Sequence, residues 1–151
     1  AIDSTRSLAR GLSPVHAGRD GLLMGLEELV SKTFERFGVR VSLDYSLPET
    51  SNLDDDTATH LYRIAQEALG NAVRHGKPSR VAIELSLESG QIHLVVSDNG
   101  GGFDRRVTTG PGMGLKIMRF RAQMIGGDLA VESSPGAGTT IRCHCPLSVD
   151  A

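Results

Sequence analysis

The stretch 67–75, EALGNAVRH, decides the fold, because one helical pattern there carries both a core face and a polar border. Acids at positions 54–56 favour the start of a helix, and the run GKP at 76–78 ends it, so we predict a helix from 54 to 75. At helical spacing, apolar residues form one stripe and polar residues form a second stripe beside it. The apolar stripe contains Leu61, Ala65, Ala68 and Ala72, and the polar stripe contains Arg63, Glu67, Asn71 and His75.

The polar border carries groups that suit a metal ion and anions. Asn71 offers a neutral carbonyl oxygen, which suits a Mg²⁺ ion held mainly by substrate phosphates and water. Glu67 could orient a metal-bound water or polarise a nucleophile, and Arg74 and His75 could contact phosphate oxygens. The alternative is a solvated helix face with ion pairs four residues apart, and the stretch by itself favours that alternative.

A second segment, DNGGGF at 98–103, follows an apolar strand pattern. Asp98 ends that strand and could accept a hydrogen bond from the exocyclic amine of a nucleotide base. Gly100 and Gly102 allow positive φ and a close approach of the backbone to a ligand. The alternative is an ordinary Asp-Asn-Gly turn, although three consecutive glycines exceed what a turn requires.

A third segment, GPGMGL at 110–115, is a glycine-rich turn that leads into a helix. Unpaired amides and a positive dipole at a helix start form a phosphate site, here after the alternating glycines Gly110, Gly112 and Gly114, and Lys116 adds positive charge. The segment is neither a Walker A loop nor a dinucleotide fingerprint, because Lys116 lacks a preceding glycine and the glycine spacing is G-x-G-x-G. A flexible loop without a ligand is the alternative. Taken together, the three segments predict a nucleotide site with Mg²⁺.

The remaining patterns predict the fold class. Helices are expected over 1–12, 19–37 and 114–125, and strands over 39–47, 80–89, 91–98, 128–134 and 139–147. This order favours an α+β fold: a two-layer α/β sandwich whose mixed, mostly antiparallel sheet is covered on one face by helices. The helix over 19–37 should bury one broad face, made of Leu22, Leu23, Leu26, Leu29, Val30, Thr33 and Phe34.

Composition limits the class of protein. The 151 residues carry a net charge of −2, so no basic excess points to nucleic acid as a partner. The apolar stretches fall short of the roughly 20 residues that a membrane span needs. Cys143 and Cys145 should share one face of a strand, where they cannot bridge each other, and packing in a reducing compartment is expected. Because the chain begins without Met inside a helical pattern, we expect it to be part of a longer protein.

Four motifs in order resemble those of the GHKL ATP-binding superfamily. EALGNAVRHG resembles its N box, DNGGGF its G1 box, GPGMGL its G2 box, and GAGT at 136–139 its final G-x-G-T. The resemblance covers residues 18–147 and implies the Bergerat-type ATP-binding fold. It also implies roles for the residues that match. Asn71 would be the Mg²⁺ ligand, and Glu67 would be the catalytic acid beside it. Asp98 would bind the adenine amine, supported by Gly100, Gly102 and Thr139. The phosphates would face Gly112, Met113, Gly114 and Leu115, and two positions that are often basic in the family are occupied by Arg74 and His75.

The stretch ARGLSPV at 9–15 is similar to one in bacterial sensor histidine kinases of the nitrate-sensor and membrane-fluidity-sensor type. This resemblance implies the catalytic domain of a two-component kinase, which positions Mg-ATP for transfer to a histidine on a dimerisation domain upstream of Ala1. Residues 1–15 would then end the dimerisation helix and its linker, 16–148 would form the ATP-binding domain, and 149–151 would be a tail.

The implied partners are that dimerisation domain and a response regulator. The parent protein would be a homodimer, whereas this chain could be a monomer that does not phosphorylate itself. A cytoplasmic location is implied, and membrane attachment of the parent stays open. The resemblance leaves two further functions open: a GHKL serine kinase that acts on an anti-anti-sigma protein, and an ATP-sensing module without catalysis. The segment 103–112 is short and lacks a separate phenylalanine motif, which leaves the role of a lid open.

Overall fold

The computed structural model describes residues 18–102 and 112–147. Its helices form one layer, and its strands form one sheet. The helices are α1 (Gly18–Phe37), α2 (Asp55–Asn71), which continues as a π-helical turn (Ala72–Gly76), and α3 (Gly112–Met124); the strands are β1 (Arg40–Tyr45), β2 (Arg80–Glu88), β3 (Gln91–Asp98), β4 (Asp128–Ser133) and β5 (Thr139–Pro146). The predicted helix over 1–12 and the expected boundaries near 15 and 148 lie outside the described residues.

The five strands form one sheet in the order β1-β2-β3-β5-β4. Only β1 and β2 pair in parallel, while the other three pairs are antiparallel. The predicted mixed, mostly antiparallel sheet is therefore confirmed. In the register of β3 with β5, Asp98 lies directly opposite Thr139, so the end of one strand meets the start of the other. Two motifs that are far apart in the sequence are thus neighbours at one end of the sheet.

The core lies between the helical layer and one face of the sheet. Alternate residues of β2, β3 and β5 are buried, as the period of two along a strand requires. All four residues of the predicted apolar stripe on α2 are buried, which confirms that face of the helix. Cys143 and Cys145 are both buried on the same face and unbridged, and burial raises the pKa of the Cys143 thiol to about 12. Their predicted packing role is confirmed.

The two ends of α2 differ in their backbone geometry. Asp54 caps the first turn, because its side chain accepts from the Thr57 amide at 2.7 Å. At the other end the helix widens into the π-helical turn and stops at Lys77, whose φ of 47° is left-handed. Such π-turns occur frequently at functional sites, since they redirect side chains within a helix.

Two predictions need correction. Phe34 was expected on the buried face of α1 but is 53% exposed. The buried stripe of α1 runs through Leu22, Leu26 and Thr33, and residue 34 lies about 100° around the helix from residue 33. The third helix begins at Gly112 rather than 114, so four of the six residues of the glycine-rich turn at 110–115 are already helical. No helix within 18–102 and 112–147 combines the length and the apolar character that crossing a membrane requires.

Candidate functional site

One pocket opens where α2, β3, β5 and α3 meet. The pocket holds about 420 Å³ of space when its open mouth is included. Its walls are mostly apolar, with a few polar groups at two ends. The lining residues are Ala68, Asn71, Ala72, His75, Gly76, Val96, Asp98, Gly102, Leu115, Met118, Thr139 and Ile141. All three sequence segments and the final G-x-G-T motif contribute to it.

Asp98 marks the first polar end of the pocket. Its Oδ1 accepts from the Gly100 amide at 2.8 Å, and its carboxylate also accepts from the Thr139 amide. Partial burial raises the pKa of Asp98 above its ordinary value, and the two backbone hydrogen bonds only partly offset that rise. The result is an oriented, half-buried acceptor at one end of a mostly apolar pocket.

The glycines around Asp98 are needed for backbone packing as well as for ligand access. A Cβ on Gly100 would overlap the Gly76 carbonyl and would stand 3.0 Å from Asp98 Oδ1. Gly102 has a φ of 65°, and a Cβ there would overlap the Ser134 carbonyl. The Gly101 amide donates to Gly76 O at 2.8 Å. The loop after β3 is therefore held between the end of α2 and the β4–β5 turn.

Asn71 marks the second polar end of the pocket, and Glu67 lies beside it, one turn earlier on α2. Asn71 Oδ1 accepts from Arg74 Nη2 at 2.9 Å, and the same nitrogen lies 3.6 Å from Glu67 Oε2. Asn71 Nδ2 is buried and has no hydrogen-bond partner among the described residues. A Cβ on Gly114 would stand 2.6 Å from Glu67 Oε2 and 2.7 Å from Asn71 Nδ2. The first turn of α3 thus packs directly on the acid and the carboxamide.

This end of the pocket fits a Mg²⁺ ion with few protein ligands. Asn71 Oδ1 and Glu67 Oε2 already face one positive charge, the guanidinium of Arg74, and oxygen donors are the ligands that Mg²⁺ prefers. Within residues 18–102 and 112–147, no group of three His, Cys, Asp or Glu side chains could hold a metal alone. A cation here would need further oxygens from a ligand, such as phosphates and water.

Six of the predicted site residues do not line the pocket: Glu67, Arg74, Gly100, Gly112, Met113 and Gly114. Arg74 reaches Asn71 from outside and also lines a groove between α1 and α2. The Met113 side chain is 70% exposed, so only its backbone amide is available to the site. Gly112 starts α3, and Gly114 and Leu115 lie in its first turn, beside Asn71 and in the pocket wall respectively.

One surface feature of α3 was not predicted from the sequence. Four large apolar side chains on α3 are exposed, with relative exposures of 40–70%. They recur at helical spacing and form one stripe, the α3 stripe: Met113, Ile117, Phe120 and Met124. The spacing of these residues was readable in the sequence, but only the packing of α3 on α2 shows that their side is uncovered in the described part of the chain.

The comparisons with known proteins agree on the family. The model of the histidine kinase-, DNA gyrase B- and HSP90-like ATPases (HATPase_c) matches residues 56–149. Sensor histidine kinase LiaS of Bacillus subtilis is 35% identical over 97% of this chain and 40% of its own length. Sensor histidine kinase MctS of Rhizobium johnstonii is 37% identical over 99% of this chain and 33% of its length. The nitrate/nitrite sensor protein NarX of Escherichia coli K12 is 36% identical over 80% of this chain and 20% of its length. The chain thus spans well under half of these relatives.

Solved structures give the same fold. The histidine kinase domain of the blue-light activated histidine kinase from Erythrobacter litoralis EL346 matches with a TM-score of 0.68 and 25% identity, over 83% of this chain and 61% of that chain. Full-length ShkA in complex with AMPPNP matches with a TM-score of 0.66 and 24% identity, over 87% of this chain and 30% of that chain. The sandwich fold, the convergent pocket and the matched model lead to one assignment: the chain belongs to the family of histidine kinase-, DNA gyrase B- and HSP90-like ATPases and is an ATP-binding domain of that family.

Proposed function

We propose that this chain is the catalytic domain of a two-component sensor histidine kinase and that it presents the γ-phosphate of Mg-ATP to a histidine on a dimerisation domain. One observation carries the proposal. The pocket joins an oriented acceptor, Asp98, at one end to the Asn71 carboxamide at the other. Glu67 lies outside the pocket lining but faces the same guanidinium as Asn71. An adenine nucleotide has complementary groups at its two ends, and relatives that are sensor histidine kinases match this chain over 80–99% of its length.

The base would lie at the Asp98 end. The carboxylate would accept a hydrogen bond from the exocyclic amine of adenine. The apolar walls formed by Val96, Met118 and Ile141 would cover the faces of the ring. Gly102 leaves room for the ring edge, and Thr139 supports the same contact from β5. Gly100 acts on this contact indirectly, because its amide fixes Asp98 Oδ1. A guanine presents a carbonyl where adenine presents its amine, so the carboxylate discriminates against it.

The phosphates would lie against the start of α3. The amides of Gly112, Met113, Gly114 and Leu115 occupy its first turn, where unpaired N–H groups and the helix dipole favour anions. Asn71 Oδ1 would hold the metal, and Glu67 would orient a metal-bound water or polarise the attacking histidine. Mg²⁺, when bound, supplies charge neutralisation on the transferring phosphoryl group. Arg74 and His75 would contact phosphate oxygens near the mouth of the pocket.

The phosphoacceptor would dock beside the phosphate end. The α3 stripe begins at Met113, next to Gly114, and stays exposed along the helix. We propose that it packs on the dimerisation domain, because a contiguous apolar patch next to a site is typical of an interaction surface. The parent protein would be a cytoplasmically oriented homodimeric kinase that passes its phosphoryl group to a response regulator. A serine kinase would share the pocket, and it would be favoured if labelled phosphate from ATP appeared on serine.

Two measurements on the 151-residue chain test the nucleotide assignment. Calorimetry should give binding of AMPPNP that is tightened by Mg²⁺ and is at least about ten-fold stronger than binding of GMPPNP. Equal affinity for the two analogues would contradict the role of Asp98.

When the parent dimerisation domain is supplied in trans, labelled phosphate from ATP should appear on its histidine, whereas the chain alone should stay unlabelled. Asn71→Ala should abolish the effect of Mg²⁺ on AMPPNP binding.

A further inference from the structure

Arg74 contacts the same atoms that the proposed function assigns to the metal and its neighbour. Its Nη2 donates to Asn71 Oδ1 at 2.9 Å and lies 3.6 Å from Glu67 Oε2. A divalent cation on Asn71 Oδ1 would therefore stand within a few ångströms of a guanidinium. Two positive charges at such a distance repel each other strongly unless water separates them. The contact of Arg74 with Asn71 and the binding of a metal to Asn71 exclude each other.

We propose that Arg74 is an internal competitor for the divalent cation: its guanidinium occupies Asn71 Oδ1 and must leave before Mg²⁺ can bind there. The inference rests on the proposed function, because it assumes that Asn71 is the metal ligand. It adds a built-in regulation of that site. The guanidinium keeps the oxygen pair neutralised until a divalent cation displaces it.

Gly70 leaves space for the contact between Arg74 and Asn71. Gly70 lies on α2, one residue before Asn71, and a Cβ on Gly70 would stand 2.9 Å from Arg74 Nη1. A side chain at position 70 would require the flexible end of Arg74 to shift. Glycine is an unfavourable choice inside a helix, by roughly 1 kcal/mol relative to alanine, so the space it leaves for Arg74 is a physical reason for its presence.

The Arg74 side chain also borders open space into which it can move. Its side chain is 58% exposed and stands on the π-helical turn at the end of α2. It lines the open groove between α1 and α2, so the guanidinium can leave Asn71 without losing water or displacing a packed side chain. Because the contact is largely exposed, its strength is modest, and the competition should change cation affinity by about two- to five-fold.

Competition can be measured directly with Mn²⁺ as the probe and no nucleotide. In ¹⁵N-labelled chain, Mn²⁺ bound at Asn71 should broaden the Asn71 side-chain amide signals and the Gly114 backbone amide signal. We expect the midpoint of this broadening at about two- to five-fold lower Mn²⁺ in Arg74→Gln than in the unaltered chain. Gly70→Ala should lower the midpoint in the same direction, although it keeps the arginine, because it displaces the guanidinium from Asn71.

Arg63→Gln is the matched control. It removes the same charge from the same helix, but Arg63 donates to Gln66 and does not contact Asn71, so its midpoint should equal that of the unaltered chain. Equal midpoints in all four proteins, or no broadening of these signals in any of them, would overturn the competition. The proposed function fails separately, if Mg²⁺ still tightens AMPPNP binding in Asn71→Ala. The two ideas are therefore tested by different variants and different signals.

Discussion

Gly114 lies against Asn71, so close that a Cβ on the glycine would stand 2.7 Å from the Asn71 carboxamide nitrogen. The start of α3 and the end of α2 are therefore in direct contact across the pocket. Gly114→Ala should displace the side-chain ends of Asn71 and Glu67, and we expect it to weaken AMPPNP binding by about ten-fold or more, because contacts to the metal and the phosphates depend on their placement. Gly101→Ala is the control, since its Cβ would meet only Gly76 O, at an ordinary 3.9 Å. Calorimetry of both variants decides the point, and equal affinities would refute it.

Gly138 supports the backbone beneath the nucleotide acceptor. It has a φ of 74°, and a Cβ there would overlap the Asp98 carbonyl. Gly138→Ala should therefore lower the free energy of unfolding by more than about 2 kcal/mol. Gly136 shares the left-handed backbone, with a φ of 82°, but no described atom lies within 4 Å of its Cβ position. Gly136→Ala should thus cost only about 1–2 kcal/mol. Urea denaturation measures both, and similar losses would argue against the overlap.

The Asp98 carboxylate should lower the stability of the folded chain at pH 7 while it strengthens nucleotide binding. Burial raises the pKa of its carboxyl in the folded chain, so the folded state binds the proton more tightly than the unfolded state does. This contribution to stability is present below the ordinary pKa near 4 and is lost as the pH rises through the folded value. Asp98→Asn should therefore melt higher than the unaltered chain at pH 7, and the gap should narrow toward pH 4. AMPPNP affinity should fall in the same variant. A lower melting temperature at pH 7 would contradict the burial argument.

His60 should make the packing of α2 on α3 sensitive to acid. Its Nδ1 lies 3.3 Å from Arg121 Nη1, and burial together with the positive charge of Arg121 lowers the pKa of His60, although Asp56 opposes this. The stability it contributes is present above the ordinary pKa near 6.5 and is lost as the pH falls through the lowered folded value. Between pH 7.5 and 5 the unaltered chain should lose a few degrees more in melting temperature than His60→Gln. His144→Gln, on the exposed face of β5, should behave like the unaltered chain.

The α3 stripe should matter for phosphotransfer but not for nucleotide binding. Phe120 is 60% exposed at the centre of the stripe. Phe120→Ser should reduce labelling of a supplied dimerisation domain by about five-fold or more, because exposed aromatic residues carry much of the binding energy at interfaces. Phe34→Ser is the control, since Phe34 is 53% exposed on α1, away from the stripe. Equal labelling by both variants, or a loss of AMPPNP binding in Phe120→Ser, would rule out a docking role.

Several features of this fold were readable from local patterns. The acids at 54–56 marked the start of α2, the alternation of buried residues marked the strands, and the spacing of Leu61, Ala65 and Ala68 marked the core face. Each of these signals arises within a single element, where the period of a helix or strand fixes which side chains share a face. The burial of Phe34 was predicted wrongly from the same kind of pattern. A broad apolar face on α1 does not tell which edge of it reaches the sheet.

The sequence by itself determined the chemical groups: an acid after an apolar strand, an acid and a carboxamide one helical turn apart, and glycines at a helix start. The tertiary structure alone decided which of them touch. It set Gly114 on Asn71 and Glu67, the Gly138 turn under Asp98, and the Arg74 guanidinium on the Asn71 carboxamide. The physical reason is that such contacts depend on how separate elements cross and on which rotamer a long side chain adopts. Neither is encoded in the spacing of residues along one element.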